Sequence, residues 1–180
     1  MQAMVRLTGV SLWTLRYHFG TFAGLFRAAS IHVIDEAETA LPSLLSPAES
    51  VIGAIRHYAD ALREATSAGP YRNMLYLVVR HGKTHDWLRE AYHRRIVGKV
   101  CNDLSEGVLK VSERLGTPIL FREGVTRRFH RRIETEFALR SLLSPVESAP
   151  AEEVDALLGE IVRETFLGTY CFDWQATNAA

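Results

Sequence analysis

Apolar residues recur at three- and four-residue intervals through nearly the whole chain, and proline falls only in the gaps between those stretches. A period of 3.6 residues is that of a helix with one buried face. No run alternates apolar and polar residues long enough to make a strand, and no two-residue hairpin signal occurs. The fold class expected is therefore all-α. At 180 residues and 47% hydrophobic composition the chain can bury one sizeable core, with room for a small additional head.

The helices can be placed from their start and stop signals. Ser46-Pro47-Ala48-Glu49 reads as a capping box opening a helix that carries Val51, Ile55, Tyr58 and Leu62 on one face. Gly69-Pro70 ends it and starts the next, Tyr71 to about Arg80, apolar nearly all round and so expected to be buried. Thr84 offers an N-cap for a long helix from Asp86 to Leu115, with Trp87, Ala91, Val100, Leu104, Val108 and Leu115 inward. Gly116-Thr117-Pro118 stops that helix. A basic helix follows from Arg122 to Leu143, and Ser144-Pro145-Val146-Glu147 repeats the capping pattern. The last helix runs from Pro150 to about Phe172, with Val154, Leu157, Leu158, Ile161, Val162, Phe166 and Tyr170 along one broad stripe.

Twenty-one basic and 21 acidic residues leave no net charge, so no global basic field marks the chain. The distribution is uneven, however. Met1 to Arg27 holds Arg6, Arg16 and Arg27 and no acid, whereas Asp35 to Glu64 carries six carboxylates against two arginines. The positive end is the N-terminus. No apolar run approaches the roughly 20 residues needed to cross a bilayer, and the N-terminus lacks the basic-then-apolar order of a secretory signal, so a cytoplasmic protein without a membrane partner is expected. Cys101 and Cys171 sit in helical apolar patterns, as small buried hydrophobes do.

The N-terminal 30 residues have a distinct pattern. Ala3 to Thr8 can form a short helix, Gly9 can take a left-handed turn, and Ser11 can cap a second helix from Leu12 to about Phe19. Met4, Val10, Leu15 and Phe19 would pack behind it. This is a helix-turn-helix pattern, whose second helix places side chains in a major groove. The domain division expected is a head over residues 1–30 and a helical regulatory body over 31–180.

Thr8-Gly9-Val10-Ser11, Thr14-Leu15, His18-Phe19-Gly20 and Leu25-Phe26 together resemble the signature of the tetracycline-repressor (TetR) family, over the 24 residues from Ala3 to Phe26. The resemblance implies a homodimeric, ligand-responsive transcriptional repressor that binds a double-stranded DNA operator. Leu12, Trp13, Thr14 and Tyr17 would then face bases, while Ser11, Arg16, Tyr17 and His18 hold phosphates. It further implies a small-molecule pocket among the central helices, for which Tyr58, Tyr76, Arg80, Trp87 and Tyr92 are the candidates, suited to a planar apolar effector with one polar handle. The last two helices would form a four-helix dimer interface, with Phe129, Ile133 and Phe137 from one and Leu158, Ile161, Val162 and Phe166 from the other.

Three features depart from the family pattern. Arg16 stands where a tyrosine is usual, a change that still holds a phosphate. Thr21-Phe22-Ala23 replaces the usual Ser-Lys-Glu and removes a lysine from the DNA backbone. The family also has a helix before the helix-turn-helix, and Met1 stands too close to Ala3 to supply it. The expectation is a head with an incompletely closed core, poorly ordered or rearranged, in which Val5, Val10, Leu15 and Phe19 lack a packing partner.

Other chemistry finds little support. His81 and His85 have the i,i+4 spacing of two metal ligands, but Gly82 and the Thr84 cap interrupt the helix that would align them. Arg127, Arg128, Arg131 and Arg132 read first as a solvated face, and Glu134/Glu136 and Glu152/Glu153 as surface charges. Gly-x-Ser-x-Gly, a phosphate loop, a dinucleotide fingerprint and CxxC are all missing from the sequence, so neither enzymatic activity, nor a cofactor, nor a metal is expected. The alternative to a DNA-binding regulator is a helical homodimer that binds a small molecule or a protein partner without DNA.

Overall fold

A computed structural model describes residues 2–42, 50–116, 124–139 and 151–167, with the side chains of 2–4 and 167 excepted. The described residues are mostly helical and contain no strand, as the periodicity requires. The first three helices are α1 (Gln2–Thr8), α2 (Leu12–Phe19) and α3 (Phe22–Thr39). The body continues with α4 (Val51–Ser67), α5 (Gly69–His81), α6 (Asp86–Tyr92) and α7 (Gly98–Leu115). A π-helical turn, His93–Val97, joins α6 to α7. Then come α8 (Val125–Ile133), which widens into a π-helical stretch at Glu134–Leu139, and α9 (Ala151–Val162), followed by another at Arg163–Leu167.

The core is organised around α4, which packs against α5, α7, α8 and α9. Its inward face, Ala54, Ile55, Tyr58, Ala59 and Leu62, is shut off from water. Facing it are Val100, Leu104 and Val108 of α7, Phe129 and Ile133 of α8, and Leu158 and Ile161 of α9, in one continuous apolar cluster. Each buried side chain of this size stabilises the fold by roughly 1.5–3 kcal/mol. α3 connects the body to the head: Ile34 and Ala37 belong to the main cluster, while Leu25, near its start, is buried beside α2.

Several boundaries move from where sequence reasoning puts them. Ser50 caps α4, its Oγ accepting from the Gly53 N–H at 3.0 Å; the proposed Ser46 cap lies outside the described residues. Thr84 does not cap the long helix. Its hydroxyl donates to the His81 carbonyl at 3.0 Å, and His85 takes the cap position. α5 is not buried all round, because α3 and α4 cover one side only: Tyr71, Met74 and Leu75 are inside, while Tyr76 and Val79 are exposed. The expected capping pattern at 144–147, and Tyr170, Cys171 and Phe172, lie outside the described residues.

The largest difference concerns the residues expected to face a second subunit. Phe129, Ile133, Leu158, Ile161, Val162 and Phe166 are buried within a single chain, and Phe137 is partly so. The rings of Phe129 and Phe166 meet edge-on, 5.4 Å between centroids. The physical reason is that α8 and α9 pack on each other and on α4, so the chain's own core consumes the stripe. What α9 turns outward is mostly charged: Glu152, Glu153, Asp155 and Glu160.

Among the described residues no helix is long and apolar enough to cross a membrane, and no group of three or more histidine, cysteine or carboxylate side chains could hold a metal ion.

Candidate functional site

The head is built by local chemistry. Gly9 adopts φ +69°, the left-handed conformation the turn demands, and the Ser11 hydroxyl accepts from the Thr14 N–H at 3.1 Å to start α2. Gly20, at φ +66°, breaks the chain again, and the Thr21 hydroxyl starts α3 by accepting from the Gly24 N–H at 3.1 Å. Gly24 matters for a different reason: a Cβ there would collide with the carbonyl oxygen of Phe19. Only glycine lets the end of α2 approach α3 this closely, a requirement that the motif reading did not identify.

These constraints turn one edge of α2 to solvent. Trp13 is 73% exposed and Tyr17 72%, and their rings stack 5.3 Å apart at 14°. His18 meets Tyr17 edge-on at 5.2 Å, and Arg16 is exposed. Of the residues expected to contact DNA, Ser11, Trp13, Arg16, Tyr17 and His18 are exposed. Leu12 and Thr14 are half-buried, and the hydroxyls of Ser11 and Thr14 lie 2.8 Å apart, so that one donates to the other. Behind α2 only Leu15 is buried; Val10 and Phe19 remain exposed, and so do Leu7 and Phe22. Val10 and Phe19 thus stay uncovered and Leu15 does not, with the helix, turn and helix in place.

The five residues expected to line one pocket do not converge. Tyr58 lies in the core, 1% exposed, with its hydroxyl unpaired among the described residues and its pKa raised mainly by burial. Tyr76 and Arg80 pair on the outer side of α5, where the guanidinium donates to the phenol oxygen at 2.6 Å. Trp87 sits where head meets body: it joins Phe26 and His85 at ring distances of 6.3 and 6.1 Å, and Arg27 lies 5.1 Å over its ring. His81 is part of the same cluster, 5.2 Å from Phe26. The His81/His85 spacing thus serves an aromatic contact.

Tyr92 alone leads to a polar centre, formed with residues that sequence reasoning missed or read otherwise. Glu134, read there as a surface charge, is half-buried. Its Oε1 accepts from the Tyr71 hydroxyl at 2.7 Å and lies 2.6 Å from the Tyr92 hydroxyl, which is also 2.7 Å from Oε2. With its O–H directed at Glu134, the Tyr71 oxygen is left to accept from His130 Nε2, 3.2 Å away. Burial, and then Glu134, raise both phenol pKa values far above their usual range. Burial also lowers the pKa of His130 and favours its neutral form. One signal was available in the sequence: His130 and Glu134 are four residues apart, each next to an inward apolar residue, Phe129 and Ile133.

A cleft of about 420 Å³ opens over this centre. Its floor is Tyr92, His130 and Glu134, Val97 is an apolar wall, and His93, Arg127 and Arg131 stand around it. On the adjoining π-helical turn, Arg95 reaches back to α3, with its Nη2 at 2.6 Å from Asp35 and its Nε donating to Glu38 at 2.7 Å. The segment that walls the cleft therefore also grips the helix leading to the head.

Comparison of this chain with family models, with curated proteins and with solved structures finds no match.

Proposed function

We propose that this protein is a ligand-responsive, DNA-binding transcriptional regulator of the TetR type, acting as a repressor through paired heads on a two-fold operator. The observation that carries this reading is the exposed edge of α2. Trp13 and Tyr17, two large aromatic side chains that a structural helix would bury, stand in water beside Arg16 and His18 immediately after a glycine turn. An acid-free segment with Arg6, Arg16 and Arg27 supplies the sequence-independent attraction to phosphate, and the α2 aromatics and histidine meet base edges. The N-terminus of α3, capped by Thr21, offers a favourable dipole to a phosphate where a lysine would otherwise serve.

The route from body to head is α3 itself, held by Arg95 from the π-helical turn and by Phe26 in the cluster with Trp87. A ligand that moved this turn would move α3 as a rod and change the separation of two heads. A second reading, a helical small-molecule or protein-binding module without DNA, is favoured by the exposed Phe22 at the position where a backbone-contacting cation would sit.

Fluorescence anisotropy of labelled duplexes from upstream of the chain's own gene separates these. The DNA-binding reading expects affinity well above that for a scrambled duplex, falling steeply with salt. Arg16→Ala should reduce the slope of log K against log salt by about one phosphate's worth, roughly 0.9. A folded chain that binds both duplexes equally, or neither at low salt, would overturn it in favour of the second reading.

A further inference from the structure

The cleft beside α8 has an unusual charge arrangement. Arg127 and Arg131 lie one helical turn apart and are both exposed, and among the described residues neither makes an ion pair. Their neighbour Arg132 does, with Glu164 at 3.1 Å. Glu134 is the mirror case: a half-buried carboxylate balanced by two phenols rather than by a cation. With His130 buried and neutral, the two guanidiniums of Arg127 and Arg131 outnumber the one carboxylate of Glu134, and His93, the remaining titratable group of the lining, can only add to that positive excess. Val97 contributes the apolar part of the lining.

We propose that this cleft is a binding site for a small organic acid that carries a hydrogen-bond donor, an aromatic hydroxycarboxylic acid being the simplest fit. The carboxylate lies across Arg127 and Arg131, which can take it bidentately. The hydroxyl donates to Glu134 Oε2, which has acceptor capacity beyond the shared Tyr92 proton. The carbon skeleton lies on Val97 and the edge of Tyr92. The ligand's carboxylate offsets the positive excess that Arg127 and Arg131 leave over Glu134. A volume of about 420 Å³ suits a small drug-sized molecule. Tyr71, backed by His130, and Tyr92 hold the Glu134 carboxylate in place before any ligand arrives, which reduces the ordering cost of binding.

The site rests on its own geometry and does not require that the head bind DNA. Isothermal titration calorimetry of the full chain with 4-hydroxybenzoate, benzoate, phenol and inorganic phosphate tests it. The expected result is millimolar or tighter binding of 4-hydroxybenzoate, weaker binding of benzoate, and little binding of phenol or phosphate. Arg127→Ala/Arg131→Ala should weaken 4-hydroxybenzoate at least tenfold, and both side chains are exposed, so the double variant should fold. Glu134→Gln should erase the preference for 4-hydroxybenzoate over benzoate while leaving benzoate bound. Three results would overturn the proposal: no heat from either acid, unchanged affinity in the arginine double variant, or phosphate binding as well as the aromatic acids. Binding of the acid by a chain that ignores operator DNA would leave this site standing and remove only the DNA-binding reading.

Discussion

Truncating Phe129 to alanine tests whether α8 and α9 close the chain's own core or are held for a second copy. Phe129 and Phe166 are 0% and 1% exposed, with ring centroids 5.4 Å apart at 60°, so Phe129→Ala removes a whole buried ring and half of an edge-to-face pair. Buried phenylalanine truncations cost about 3–5 kcal/mol, because the lost transfer free energy is joined by a cavity that the surroundings fill only partly. The aromatic pair favours the upper half of that range. For a chain of this length each kcal/mol lowers Tm by roughly 2–4 °C, so the expected fall is roughly 6–20 °C. Set against a total stability of about 5–15 kcal/mol, that could leave the variant marginal, and Phe129→Leu provides a milder companion at about 1–1.5 kcal/mol. Both are read by far-UV circular dichroism during thermal and urea unfolding, at two protein concentrations tenfold apart. Burial within one chain requires a loss that is the same at both concentrations. A loss below about 1 kcal/mol for the alanine variant would refute the burial, and a loss that grows on dilution would place Phe129 between subunits.

Three further outcomes follow from single side chains. Tyr58→Phe should leave stability unchanged or raise it by up to about 1 kcal/mol in urea unfolding, because the hydroxyl it removes is buried without a partner among the described residues; a clear loss would reveal a partner. His130 has a lowered pKa in the fold, so on acidification below about pH 6.5 the unfolded chain takes up a proton that the native chain refuses. Its contribution is complete above that pH and is lost as pH falls toward the folded pKa, with a slope of at most about 1.4 kcal/mol per unit. His130→Gln should flatten that part of the urea-midpoint profile between about pH 5 and 7, and an unchanged profile would contradict it. Gly24→Ala, by forcing a Cβ against the Phe19 carbonyl, should loosen α2 from α3 and raise amide hydrogen exchange in residues 12–25 while exchange in α4 and α7 stays the same; equal protection in parent and variant would show that the close approach is not required.

Much of this molecule is legible in the sequence because the relevant physics is local. Helical class follows from apolar spacing, and the helix-turn-helix from Gly9 and from the Ser11 hydroxyl three residues before the Thr14 amide it caps. Such interactions span three or four residues, and their partners can be read directly from the chain. Where two local signals competed, as between Thr84 and His85 at the start of α6, the sequence alone chose wrongly, because a hydroxyl can donate backward to a carbonyl as readily as accept forward from an amide.

What only the tertiary structure decided is which side of an apolar stripe meets what. Phe129 and Phe166 look the same in sequence whether they face a partner or their own core; the packing of α8 and α9 on α4 turns them inward. The tyrosines and tryptophan proposed for one pocket were scattered among the core, an outer face, the head junction and the Glu134 centre. That centre brings Tyr71 to a carboxylate 63 residues away and Tyr92 to the same group 42 residues away. No periodicity encodes such a meeting. It depends on helix crossing and rotation, which the summed packing of the whole core sets, and the half-buried carboxylate is satisfied there because two phenols arrive together.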